Sequence, residues 1–210
     1  MNIRFSALQD AVLSDIKTIT SALKLLFMLG ATIAVLFLIF VWDSRCDNPF
    51  SEVGPTELIQ TLLLSLCTLF LFREAVRCPD MRNALILAGG LTGCMLIREQ
   101  DYFLDMISHG FWKWPALILA FGCLTCAAVR LRETISSLAV FIRWRHFPLF
   151  LTGIVIVLTY SRLFGMSVLW KTLLPGGEWR AAKNAIEESS ELLGYALMLT
   201  SVLLLRFRKK

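Results

Sequence analysis

The chain has 210 residues, 57% of them hydrophobic, and a mean hydropathy of +0.67. That composition excludes an ordinary water-soluble domain and points to one helical membrane domain. A net charge of +5 would suggest a nucleic-acid partner in a soluble protein, but here the basic residues flank apolar runs and report topology, so no nucleic acid is expected.

Residues 1–23 are polar but periodic: Phe5, Leu8, Val12, Ile16, Ile19 and Leu23 recur at spacings of three and four, with Arg4, Gln9, Asp10, Ser14 and Lys17 between them. The pattern predicts an amphipathic helix on the inner membrane surface, with a plain extension of the first span as the alternative. Apolar runs then predict spans at about 24–42, 56–73, 83–103, 114–130, 148–170 and 186–205, each near the ~20 residues needed to cross the hydrocarbon. The first run ends in Asp43-Ser-Arg-Cys-Asp47 without a small-x-small cleavage site, so it is expected to remain as a helix. The third is purely apolar only from Ala84 to Ile97, so its helix must continue through Arg98, Glu99, Gln100 and Asp101 to finish the crossing. Ala88-Gly89-Gly90 with Gly93 marks close helix contact on that span.

With the N-terminus inside, segments 1–24, 73–82, 130–147 and 206–210 carry fourteen Lys and Arg residues, against six in 43–55, 98–113 and 171–185. This is a positive-inside bias, and residues 206–210 form a basic inner tail. Trp42, Trp112, Trp114, Trp144, Trp170 and Trp179 sit at or beside span ends, as an interfacial belt does. The expected fold is therefore an all-α integral membrane protein: a six-transmembrane-helix bundle with N- and C-termini inside and an N-terminal amphipathic interfacial helix. The lipid bilayer, expected to be a bacterial cytoplasmic (inner) membrane, is its first partner. The six cysteines form no disulfide framework, and Cys123-Leu-Thr-Cys126, inside an apolar span, reads as two small packing residues.

The carboxylates carry the functional signal. Of sixteen Asp and Glu residues, eleven fall on the predicted outer side: Asp43, Asp47, Glu52, Glu57, Glu99, Asp101, Asp105, Glu178, Glu187, Glu188 and Glu191. Charge at membrane depth is costly and marks function or internal pairing. On a continuous helix Asp101, Asp105 and His109 are four apart and share a face, which could bind a divalent cation or position a water. The bland alternative is an interfacial extension stopped by Gly110. Asn184 with Glu187 reads as a capping box, which accounts for Glu187 and Glu188 but not for Glu191, stacked with Glu187 and Tyr195 at four-residue intervals. Arg162 lies roughly 20 Å along the fifth span at 1.5 Å per residue, and should pair with Glu191, Glu99 or Asp105. Glu57, with Gln60 three residues on, is either a first-turn acid or a further member of a ring of outer-side carboxylates with Glu99, Asp105 and Glu191.

Glu99, Asp101, Asp105, His109 and Glu191 are thus the candidate catalytic groups, with Asp101, Asp105, His109 and Glu191 as metal ligands. Arg162, Arg98, Glu187, Glu188 and Tyr195 are the candidate substrate-binding or ion-pairing groups. So oxygen-rich a set suits Mg²⁺, Ca²⁺ or Mn²⁺ better than Zn²⁺. No Walker loop, paired CxxC, HExxH, GxSxG or nucleotide fingerprint is present. Three readings follow. The leading one is a structural or accessory membrane protein with an ion-paired acidic cluster at its outer face, serving a membrane-protein partner. The alternatives are an enzyme acting on a lipid or lipid-linked substrate at the outer leaflet, and a cation or proton carrier.

Overall fold

The computed structural model describes residues 2–46, 54–177 and 179–206, and every regular element among them is helical. Helix α1 runs without a break from Asn2 to Asp43. It is followed by α2 (Pro55–Arg77), a 3₁₀ turn (Pro79–Met81), α3 (Arg82–Glu99) and the short α4 (Asp101–Asp105). Then come α5 (Lys113–Val129), α6 (Leu131–Ile142) and α7 (Phe147–Val155), which passes through a π-helical turn (Ile156–Ser161) into α8 (Arg162–Phe164). Helices α9 (Ser167–Leu173) and α10 (Trp179–Arg206) complete the chain.

By internal contacts the chain forms two units, Met1–Ile39 and Phe40–Lys210. The first is most of α1. The second is a helical bundle with its polar groups inside. Gln60, Thr92, Glu99, Ser161, Glu191 and Ser201 are buried, while Leu58, Leu62, Leu69 and Val76 of α2 and Ile118, Phe121 and Leu124 of α5 are exposed. That inversion of soluble-protein patterning is compatible with a membrane around the bundle.

Among the described residues four helices are long and apolar enough to cross a membrane: Val12–Asp43, Pro55–Arg77, Phe147–Phe164 and Trp179–Leu205. The pair α5 and α6, bent by 104°, would make a fifth if it forms one span. The bend falls at Arg130, whose backbone (φ −123°, ψ 50°) leaves the helical region. The predicted inner loop 130–147 is therefore largely helical. Thr134, Ser137 and Phe141 of α6 are buried at helical spacing, while Leu131, Ile135 and Ile142 of the same helix are exposed. The third predicted span also differs, because α3 stops at Glu99 and Gln100 (φ −95°, ψ 17°) separates it from α4. With Arg82, Arg98 and Glu99 in only eighteen residues, α3 is not among the four.

Pairs across α2 and α3 run in opposite order. Thr68 Oγ1 donates to Thr92 Oγ1 at 2.9 Å, and Gln100 Nε2 donates to Thr61 Oγ1 at 2.8 Å, so the two helices are antiparallel. The span from α7 to α8 is likewise antiparallel to α10. Ser201 Oγ donates to the His146 carbonyl at 2.9 Å, and Ser161 Oγ donates to Glu191 Oε1 at 3.0 Å. Between these contacts the two backbones nearly touch: a Cβ at Gly153 would lie 2.6 Å from the Gly194 carbonyl oxygen, and one at Gly194 would lie 2.4 Å from Val157 Cγ2. Helix α10 is the core element, burying Leu192, Tyr195, Met198, Val202 and Leu205 at spacings of three and four. At the opposite end from Glu191, Phe141 packs edge-on against Phe147 and Phe150 (ring centroids 5.2 and 5.9 Å apart) and fixes α6 against α7.

A Cβ at Gly153 meets backbone, which cannot yield as a side-chain tip can. Gly153→Ala should therefore lower stability by about 1–3 kcal/mol in detergent thermal unfolding. Gly122→Ala, with nothing within 4 Å of the new Cβ, should leave the midpoint unchanged or raise it slightly.

Candidate functional site

The N-terminal turns of α2, the C-terminal turn of α3, the start of α8 and the first half of α10 meet at one end of the bundle. Two devices position the groups. The π-helical turn closes on Ser161 and delivers it, buried, and the adjacent Arg162 onto α10. Gly165 then keeps the chain clear of Glu187, since a Cβ there would lie 2.9 Å from the carboxyl carbon.

Glu191 is the hub. It is 4% exposed, and its Oε1 accepts from Ser161 Oγ at 3.0 Å and Arg162 Nη2 at 2.5 Å, with Arg98 Nη2 at 3.5 Å. Arg98 Nη2 also binds Glu99 Oε1 at 2.6 Å, and the same Glu99 oxygen accepts the buried Tyr195 hydroxyl at 2.8 Å. Glu187 bridges Arg162 Nη1 (3.1 Å) and Lys183 Nζ (2.8 Å). On the α2 side, Gln60 Nε2 donates to both the Glu188 carbonyl (3.0 Å) and its carboxylate (2.8 Å). The Asp43 carboxylate, at the end of α1, accepts the Thr56 N–H at 3.0 Å and so satisfies a free donor of the α2 N-terminus. Glu57 in the first turn of α2 and Arg98 in the last turn of α3 each have the favourable sense for their helix dipole.

The structure thus brings together Arg98, Glu99, Arg162, Glu187, Glu188, Glu191 and Tyr195. Asp101 and Asp105 lie four apart on the short α4, which ends at Asp105, and His109 follows in the turn beyond it. Asp105 holds that turn, accepting the Gly110 N–H at Oδ1 (2.9 Å) and the His109 ring at Oδ2 (3.0 Å). Gly110, at φ 78°, takes the left-handed conformation that ends the segment. His109 projects fully into the surroundings and Asp101 is exposed. No three His, Cys, Asp or Glu side chains among the described residues are arranged to hold a metal ion, so Asp101, Asp105, His109 and Glu191 do not form the expected ligand set. The capping box also fails. Helix α10 begins at Trp179, so Asn184 lies inside it and Glu187 pairs with Lys183 one turn back.

Sequence reasoning passed over Ser161 and Lys183. The Lys183–Glu187 spacing of four was a usable signal, whereas nothing in the sequence announces the π-helical turn that carries Ser161. Comparison of the chain with family models, with curated proteins and with solved structures finds no match.

The two carboxylate groups should respond differently to substitution. Tyr195→Phe removes a buried donor from an ionic acceptor and should cost about 1.5–3 kcal/mol of stability. His109→Ala, at a fully exposed side chain, should leave the unfolding midpoint where it is.

Proposed function

We propose that this chain is a structural or accessory protein of a bacterial cytoplasmic membrane, with six crossings made by α1, α2, α3, α5, α7–α8 and α10 and both termini inside. In this reading the acidic end of the bundle faces outward and its ion pairs lock the helices that present a surface to a membrane-protein partner. One observation supports it above others: Glu99, Glu187 and Glu191 each meet a cation, and the Arg162 bridges to Glu187 and Glu191 join the π-turn helix to α10. Groups spent on one another serve packing before they serve chemistry.

A second reading, an enzyme acting on a lipid or lipid-linked substrate at the outer leaflet, is favoured by one feature. The Arg98 and Arg162 side chains remain 35% and 46% exposed while the carboxylates they hold are buried. Two half-open guanidinium groups suit a phosphate headgroup, with Glu191 or Glu99 as the acid–base partner.

The readings separate on Arg162→Met. Loss of one partner from a buried pair costs about 3–5 kcal/mol, less here because Arg162 is half exposed, so about 2 kcal/mol or more is expected, with lowered monodisperse yield. A variant with wild-type stability would favour the enzyme reading instead. The six-crossing topology predicts that, in a cysteine-free background, Lys171→Cys reacts with an impermeant maleimide on intact cells and Glu133→Cys reacts only after permeabilisation. The reverse pattern would overturn the orientation.

A further inference from the structure

Helix α6 presents three faces. Thr134, Ser137 and Phe141 face the bundle and are buried. Thr134 Oγ1 accepts from Asn83 Nδ2 at 2.9 Å and Ser137 Oγ accepts the Ala84 N–H at 3.0 Å, so the helix is bonded across the start of α3. Leu131, Ile135 and Ile142 form a second stripe, 62%, 62% and 55% exposed. Arg132 and Arg143, about three turns apart, form a third stripe about a quarter-turn round from the apolar one, and both are exposed.

The rest of this end of the bundle is basic. The bonds from α6 to α3 set the α5–α6 bend beside the turn between α2 and α3, where Arg82 Nε donates to the Ala75 carbonyl at 3.4 Å. Arg73, Arg82, Arg132, Arg143 and Arg145 are exposed and make no ion pair among the described residues. Two of the acids nearby are already engaged: Glu74 is buried and held by Arg77 at 3.3 Å, and Glu133 is held by Arg130 at 3.4 Å. Only Asp80 among the described acids of this end remains to set against the five arginines, so the surface keeps an excess of positive charge.

We propose that α6 is a docking surface for anionic phospholipids, with Leu131, Ile135 and Ile142 sunk among the acyl chains and Arg132 and Arg143 at the level of the phosphates. Where α5 crosses the bilayer, a helix turned 104° from it runs along the membrane surface. Of the proposed topology the inference uses only that crossing, and it holds for either orientation. An apolar stripe flanked by cations is the pattern of a helix seated in the headgroup layer. The uncompensated arginines around it select anionic over zwitterionic headgroups. A nucleic acid or an acidic protein would engage the arginines and leave the apolar stripe in water. Packing of Phe141 on Phe147 and Phe150 holds α6 in place before any lipid arrives. The proposal goes beyond the helix-locking reading, which concerns the opposite end of the bundle.

The test is thermal unfolding of the full chain in an uncharged detergent at low salt, titrated with dioleoylphosphatidylglycerol or with dioleoylphosphatidylcholine, which has the same acyl chains. Binding to the folded bundle gives a midpoint that rises and saturates with the anionic lipid and not with the zwitterionic one. Arg132→Gln and Arg143→Gln should each raise the half-saturating lipid fraction about fivefold, the factor one cation contributes at a membrane surface. Ile135→Ser should weaken the response as well, whereas Lys113→Gln, exposed at the opposite end of α5, should keep it. Equal midpoints in the two lipids overturn the proposal, as does a full response in the Arg132→Gln/Arg143→Gln double variant. An equal loss in Lys113→Gln means attraction by net charge alone and overturns it too. So does a matching rise with inorganic phosphate or an RNA oligonucleotide at the same phosphate concentration, which puts the partner outside the bilayer. Should the double variant fail to fold, the two single variants decide. A negative result leaves the helix lock standing, since that reading fails only on the Arg162 variants.

Discussion

A carboxylate removed from water must be met by positive charge and hydrogen bonds, or it becomes the weakest point of the fold. Glu191 is buried two turns above the Asn184 position in α10 and is met from two directions, by Arg162 with Ser161 and by Arg98. Arg98 carries the same demand on to Glu99, and Glu99 to Tyr195 back on α10. One buried charge therefore ties α3 and the π-turn span to α10. Apolar packing cannot supply this in a bilayer, where lipid chains compete equally well for an apolar side chain.

The rest of the bundle serves that closure. The near-contact of Gly153 and Gly194 brings the two backbones close enough for Ser161 and Arg162 to reach α10. The π-helical turn shifts the helix register at the place where those side chains must be aimed, and Gly165 leaves space for the Glu187 carboxyl immediately beyond it. On the other flank, the antiparallel pairing of α2 and α3 through Thr68–Thr92 and Thr61–Gln100 fixes where Gln60 and Glu99 stand.

Much of this was legible in the sequence, and the limits have physical causes. Helical periodicity and length located the apolar helices, and the depth of Arg162 along its helix pointed to Glu191 among three partners. Small residues on α3 announced close packing: a Cβ at Gly90 would lie 2.7 Å from Cys123 Sγ, and one at Gly93 would lie 2.6 Å from Leu119 Cδ2. For Asp101, Asp105 and His109 a spacing of four means a shared helix face only while the helix continues, and α4 ends at Asp105, before His109. Helix α6 was hidden by its flanking arginines, which read as an inner loop although Thr134 and Ser137 bond inward to Asn83 and the Ala84 N–H. The early start of α10 was hidden for a related reason: outside the hydrocarbon a helix needs no apolar run, and residues 179–185 have none.

The claim that a shared buried charge joins the helices is tested most directly by a double-mutant cycle on Arg162 and Glu191, using Arg162→Met, Glu191→Gln and the pair, read by unfolding in detergent. If the contact is the lock described, each single change is destabilising and the pair costs less than their sum, with a coupling energy of about 1–3 kcal/mol. Additive costs, with coupling indistinguishable from zero, would contradict it: the 2.5 Å contact would then be a consequence of the packing and not its cause.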